Sequence, residues 1–83
     1  LPQGEAKGLC AVGGFTVDIS WANGKLVTGL ITSKFGNECR VRYGEAIEVY
    51  NSSNELVPLR KLTEDVYAFD TKKGQTYRVV NIG

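Results

Sequence analysis

The chain contains no histidine and no methionine, and its 83 residues hold only two cysteines, two prolines and one tryptophan. Each shortage removes a class of function. Without histidine, the commonest general base, proton shuttle and metal ligand is gone. Two cysteines unaided by histidine cannot assemble a zinc finger or an iron–sulfur centre. Charge of one sign is missing too. Ten Lys+Arg against nine Asp+Glu leave +1, too small an excess for nucleic-acid binding driven by phosphate contacts. No apolar run approaches the roughly 18–20 residues that a membrane-spanning helix needs. The opening Leu1-Pro2-Gln3-Gly4-Glu5 has neither the basic start nor the apolar stretch of a signal peptide, and it lacks an initiating methionine. It reads as a piece of a longer polypeptide, with any signal upstream. One small domain of this length buries only about 60–65% of its unfolded surface, which leaves little core for a deep active site. Composition therefore argues against an independent enzyme, a cofactor site, a nucleic-acid partner or a membrane.

What is present is strand periodicity. Phe15, Val17, Ile19 and Trp21 alternate with Thr16, Asp18 and Ser20, the pattern of a strand with one buried face. Asn23-Gly24 follows, a pair that takes the positive φ angles of a type I′ hairpin turn. Lys25 to Ser33 reads as the returning strand, with Gly29 marking a bulge or a close backbone approach. Cys39 to Tyr43 alternates again, with Cys39, Val41 and Tyr43 on one side and Arg40 and Arg42 on the other. Further strands are predicted at Ala46–Tyr50, Leu56–Leu62, Val66–Phe69 and Thr76–Ile82, with Pro58 pointing to an edge or bulge. No stretch carries a capped helical stripe. About seven short strands with turns every 8–12 residues predict an all-β fold, an antiparallel β-sandwich or small barrel, and Pro58 with the charged Arg40/Arg42 face favours the sandwich. Residues 1–7 read as a connecting arm, and residues 8–83 as a single domain.

The chemistry-bearing residues are sparse. Cys10 and Cys39 have 28 residues between them; a disulfide would stabilise by roughly 3–4 kcal/mol in the chain-entropy model, and two buried thiols are the other reading. Asp18, Glu45, Glu48 and the Glu64-Asp65 pair lie outside apolar runs, so none has the setting that raises a carboxyl for acid catalysis. Gly13-Gly14 is followed by neither Lys-Ser/Thr nor a helix, so it is no phosphate loop. Asn51-Ser52-Ser53 matches the N-glycosylation pattern. Among the aromatics, Phe15 and Trp21 are expected in the core. Phe35 in a turn and Tyr50 at a strand end are the candidates for an exposed sugar platform. No catalytic, cofactor-binding or metal-ligating residue is assigned, and Trp21, Phe15, Gly14 and Gly24 are expected to matter most to the structure.

One string carries more than periodicity. Lys7-Gly8-Leu9, the run Gly13-Gly14-Phe15-Thr16-Val17-Asp18-Ile19-Ser20-Trp21, Asn23-Gly24-Lys25-Leu26, Ile31-Thr32-Ser33 with Gly36, and Cys39-Arg40-Val41-Arg42-Tyr43 together resemble the opening of the C-terminal β-domain of glycoside hydrolase family 95, the inverting α-L-fucosidases and related exo-enzymes. The resemblance covers residues 1–43 well and departs from the family pattern at Cys10. It implies catalysis elsewhere, in an (α/α)6 barrel of the same parent chain, so no catalytic residue carries over. The expected role is a non-catalytic accessory domain that packs against and stabilises that barrel in a secreted or periplasmic enzyme. The alternative is a carbohydrate-binding module that tethers the parent to its glycan.

Overall fold

The computed structural model describes residues 13–83 together with the backbone of Cys10 and Ala11. The arm expected over residues 1–7 and the side chain of Cys10 lie outside the described residues. Eight strands follow in order: β1 (Cys10–Ala11), β2 (Phe15–Ala22), β3 (Lys25–Ser33), β4 (Cys39–Arg42), β5 (Ile47–Tyr50), β6 (Arg60–Lys61), β7 (Val66–Phe69) and β8 (Thr76–Asn81). They build two four-stranded sheets, β1-β4-β7-β6 and β2-β3-β8-β5, and every pairing is antiparallel. The sandwich expected from the periodicity is the fold. Only β2–β3 and β6–β7 join neighbours within one sheet; every other connection crosses between the two.

The β2–β3 hairpin follows its turn chemistry. Asn23 and Gly24 have φ of 54° and 75°, and Ala22 pairs with Lys25 across them, as a two-residue I′ loop requires. The bulge predicted near Gly29 falls two residues earlier. Ser20 pairs with Thr28 but Trp21 with Leu26, so Val27 is the extra residue and Gly29 stays in register between Ile19 and Val79. Beside it, the Leu26 amide donates to the Tyr43 hydroxyl at 3.1 Å, a partner one residue past the end of β4.

Burial follows the alternation. Val41 and Phe69 of one sheet meet Leu26, Ile31, Val49 and Val79 of the other, all 2% exposed or less. Phe69 and Tyr77 pack as tilted rings, centroids 5.5 Å apart. Phe15, Val17, Ile19 and Trp21 do not reach full burial as expected. They are half-buried and pack against the margin of the core, because β2 is an edge strand and the strand joined to it through Gly13-Gly14 has only two residues. The long strand expected over Leu56–Leu62 shrinks to β6. Leu56 makes one isolated bridge to Tyr50, and Pro58, with no amide hydrogen, interrupts the ladder between.

Two details finish the frame. Ala68 points outward between Arg40 and Arg60 in the ladder, yet it is 0% exposed. Glu38 accepts from Arg40 Nε at 2.9 Å and Arg60 Nη2 at 2.6 Å, and the two arginine stems roof the alanine. Cys39 is buried with a free thiol. Cys10 pairs with Arg42 in the ladder, three residues along β4 from Cys39. At about 3.3 Å per residue the two Cα atoms stand beyond the roughly 7 Å limit of a disulfide.

Candidate functional site

The end of the sandwich where β3 stops is organised around Phe35. Gly13 and Gly14 turn the chain into β2 with φ of 88° and 84°, values that L side chains rarely adopt. The Gly14 carbonyl accepts the Lys34 amide at 2.9 Å. A Cβ on Gly14 would stand 2.4 Å from Phe35 Cδ2, so the ring lies against bare backbone. Its other side is open, and Phe35 is 66% exposed.

The loop carrying Phe35 is tied to the β7–β8 turn. The Ser33 amide donates to the Gln75 carbonyl at 2.9 Å and the Gly74 amide to the Ser33 carbonyl at 2.7 Å. Gly36, at φ 77°, sits so close to Lys73 that a Cβ there would meet its amide nitrogen at 3.0 Å. Beneath runs a directed chain of hydrogen bonds. The Gly36 amide donates to Ser33 Oγ at 2.9 Å, Ser33 Oγ lies 2.8 Å from Thr71 Oγ1, and Thr71 Oγ1 donates to the Asn37 carbonyl. Since the Thr71 proton is spent on Asn37, Ser33 must donate to Thr71. Ser33 and Thr71 are the buried polar residues among those described. This polar pin was invisible in the sequence, since two hydroxyls 38 positions apart leave no periodic signal.

Tyr50 stands differently. The Arg78 guanidinium covers one face, 4.7 Å from the ring centroid, and the hydroxyl donates to Glu48 Oε1 at 2.7 Å. That bond to a carboxylate holds the phenolic proton and raises its pKa. Arg78 donates in turn to Asn54 Oδ1. Phe35 is therefore an open ring and Tyr50 a half-buried, engaged one. A nearby groove of about 520 Å³ runs between residues 51–58 and 70–77 and is lined by neither. Asn51, the sequon asparagine, caps its own loop: Oδ1 accepts the amides of Ser53 and Glu55, both at 2.9 Å.

Two carboxylates among the described residues stand below their ordinary range. Hydrogen bonds from Arg40 and then Arg60 hold Glu38 below the usual carboxylate range. Lys25, then Asn81, do the same for Glu45. Among the described residues no group of three or more Cys, Asp or Glu stands together to hold a metal ion. Arg40, Arg42 and Arg60 lie on Glu38, Asp65 and Asp70 at 2.6–3.2 Å, a paired face rather than a free basic one.

Comparison with known families gives a match over nearly the whole chain. The model of glycoside hydrolase family 95, C-terminal domain, covers residues 1–79, so it extends well past residue 43, where the recognisable string ends. Among curated proteins no relative matches.

Proposed function

The chain belongs to the C-terminal domain family of glycoside hydrolase family 95, and from that premise we propose that it is the accessory domain that packs against and steadies the (α/α)6 catalytic barrel of its own parent. Family membership implies a glycoside hydrolase catalytic domain in the same polypeptide. The observation that carries the packing role is the apolar row Phe15, Val17, Ile19 and Trp21, half-buried along an edge strand. The chain enters the sandwich through β1, which leads directly into that strand. Apolar surface left at an edge gains free energy by being covered. The parent acts on α-L-fucosides or a related exo-linkage and is exported. Both points rest on the resemblance, and sugar release by the parent and cell fractionation test them.

The main test uses the full-length parent. Removing residues 8–83 should lower the melting temperature of the barrel and expose new protease sites. Ile19→Asp should act in the same direction, while Leu30→Asp on the opposite face of the same sheet should not. A barrel that melts unchanged without the domain ends the stabilising role. A second reading, a carbohydrate-binding module, is favoured by one observation, the open ring of Phe35 at 66% exposure.

A further inference from the structure

The described cations divide into three groups. Lys25, Arg40, Arg42 and Arg60 sit on carboxylates, while Lys61 and Arg78 lie over tyrosine rings. Lys34, Lys72 and Lys73 remain, all exposed and with neither kind of partner among the described residues. These three are not scattered. Lys34 precedes Phe35 in the chain, and Lys72 and Lys73 occupy the turn that Ser33 and Gly36 hold against the Phe35 loop. The Tyr77 hydroxyl accepts the Lys72 amide at 2.8 Å, and the buried Ser33–Thr71 link fixes the turn from below. An open aromatic ring on a pinned backbone thus shares this tip with the unpaired positive charge of the described residues.

We propose that this tip binds an anionic polysaccharide, with Phe35 stacking on the C–H face of a sugar ring and Lys34, Lys72 and Lys73 meeting its carboxylate or sulfate groups. The inference rests on the glycan-binding reading of Phe35 and is independent of the β2 docking edge. A neutral glycan would use the ring and leave three cations idle, whereas an acidic one uses both. Lysine suits the role as a mobile point charge that follows anions spaced irregularly along a polymer. The ring supplies what charge alone cannot, a short-range contact that survives moderate salt.

The test is affinity electrophoresis of the full-length parent through gels holding polygalacturonate, dextran sulfate or neutral dextran. Retardation is expected in at least one anionic gel and not in dextran; which anionic polymer retards identifies carboxylate or sulfate as the group read. Phe35→Ala should weaken it by about tenfold, the scale of one lost stacking contact. Lys72→Glu with Lys73→Glu should abolish it. Lys25→Glu with Lys61→Glu makes the same charge change elsewhere and should leave retardation in place. Equal loss from both lysine pairs, or an unchanged Phe35→Ala, would reduce the effect to general charge and overturn the proposal. Retardation in dextran that depends on Phe35 would keep the glycan reading and overturn the anionic one. No retardation in any gel removes both.

Discussion

Replacing Thr71 by valine keeps the shape of a buried side chain and deletes one hydroxyl. That hydroxyl is the third member of the chain from the Gly36 amide through Ser33 and Thr71 to the Asn37 carbonyl. In Thr71→Val the Ser33 proton loses its acceptor inside a site 0% exposed at Ser33. A buried donor left unmade costs about 1–3 kcal/mol. The Asn37 carbonyl adds less, since Asn37 is exposed and water can replace the lost donor. Thr71→Ser keeps the hydroxyl and loses a methyl group, worth about 0.8 kcal/mol at most. Valine should therefore be more destabilising than serine by roughly 0.2–2 kcal/mol, each kcal/mol being worth about 4–8 °C in melting temperature for a domain this size. Guanidinium unfolding followed by the fluorescence of Trp21, the sole tryptophan, measures the difference. A double-mutant cycle sharpens the test. Ser33→Ala removes the orphaned donor, so Ser33→Ala with Thr71→Val should cost clearly less than the sum of the singles. Equal stability of the valine and serine variants, or strict additivity in the cycle, would refute the directed chain.

Four further outcomes follow from the same structure. Phe69→Ala, at 0% exposure, should cost about 3–5 kcal/mol, and Trp21→Ala, half-buried on an edge strand, clearly less; the order of the two melting temperatures decides. Gly14→Ala should destabilise more than Gly24→Ala, because both have positive φ but only the Gly14 Cβ meets the Phe35 ring, at 2.4 Å; unfolding curves of the two variants would show it. Glu38 has a folded pKa below the ordinary 4.5, so its share of stability is present above that value and lost as pH falls through the folded pKa. Glu38→Gln should flatten acid unfolding below pH 4.5, with no difference between the proteins' acid limbs counting against the Arg40–Glu38–Arg60 linkage. Burial pushes the Cys39 thiol up to about 12, so a Cys10→Ser variant should stay unreactive to a disulfide reagent at pH 8 until unfolded.

Much of the frame was legible because it is written locally. Asn23-Gly24 announced its turn, and Cys39, Val41 and Tyr43 announced their face by alternation. What escaped depends on neighbours far along the chain. The depth to which Trp21 is buried depends on β2 lying at an edge, and strand order is not a property of any short segment. The shortened β6 came from Pro58 breaking a run that side-chain type alone read as continuous. At the candidate tip Phe35 stood out in its turn, while Lys72 and Lys73 lie far along the chain. Their meeting required the link between the β3 end and the β7–β8 turn, which joins residues some forty positions apart through polar groups that no hydrophobic pattern reports.

The polar contacts between sheets sit at opposite ends of β3. At one end Tyr43 receives the Leu26 amide and, at 3.3 Å, the Asn81 side chain; at the other, Ser33 meets Thr71. Between them lies an apolar core with no directional bonds of its own. Oil between two plates offers little resistance to sliding, and here the sliding mode is blocked at both ends. The sandwich should accordingly move as a block with very little internal shear. The β2 edge and the Phe35 tip thus belong to one block, and whatever holds one fixes the orientation of the other.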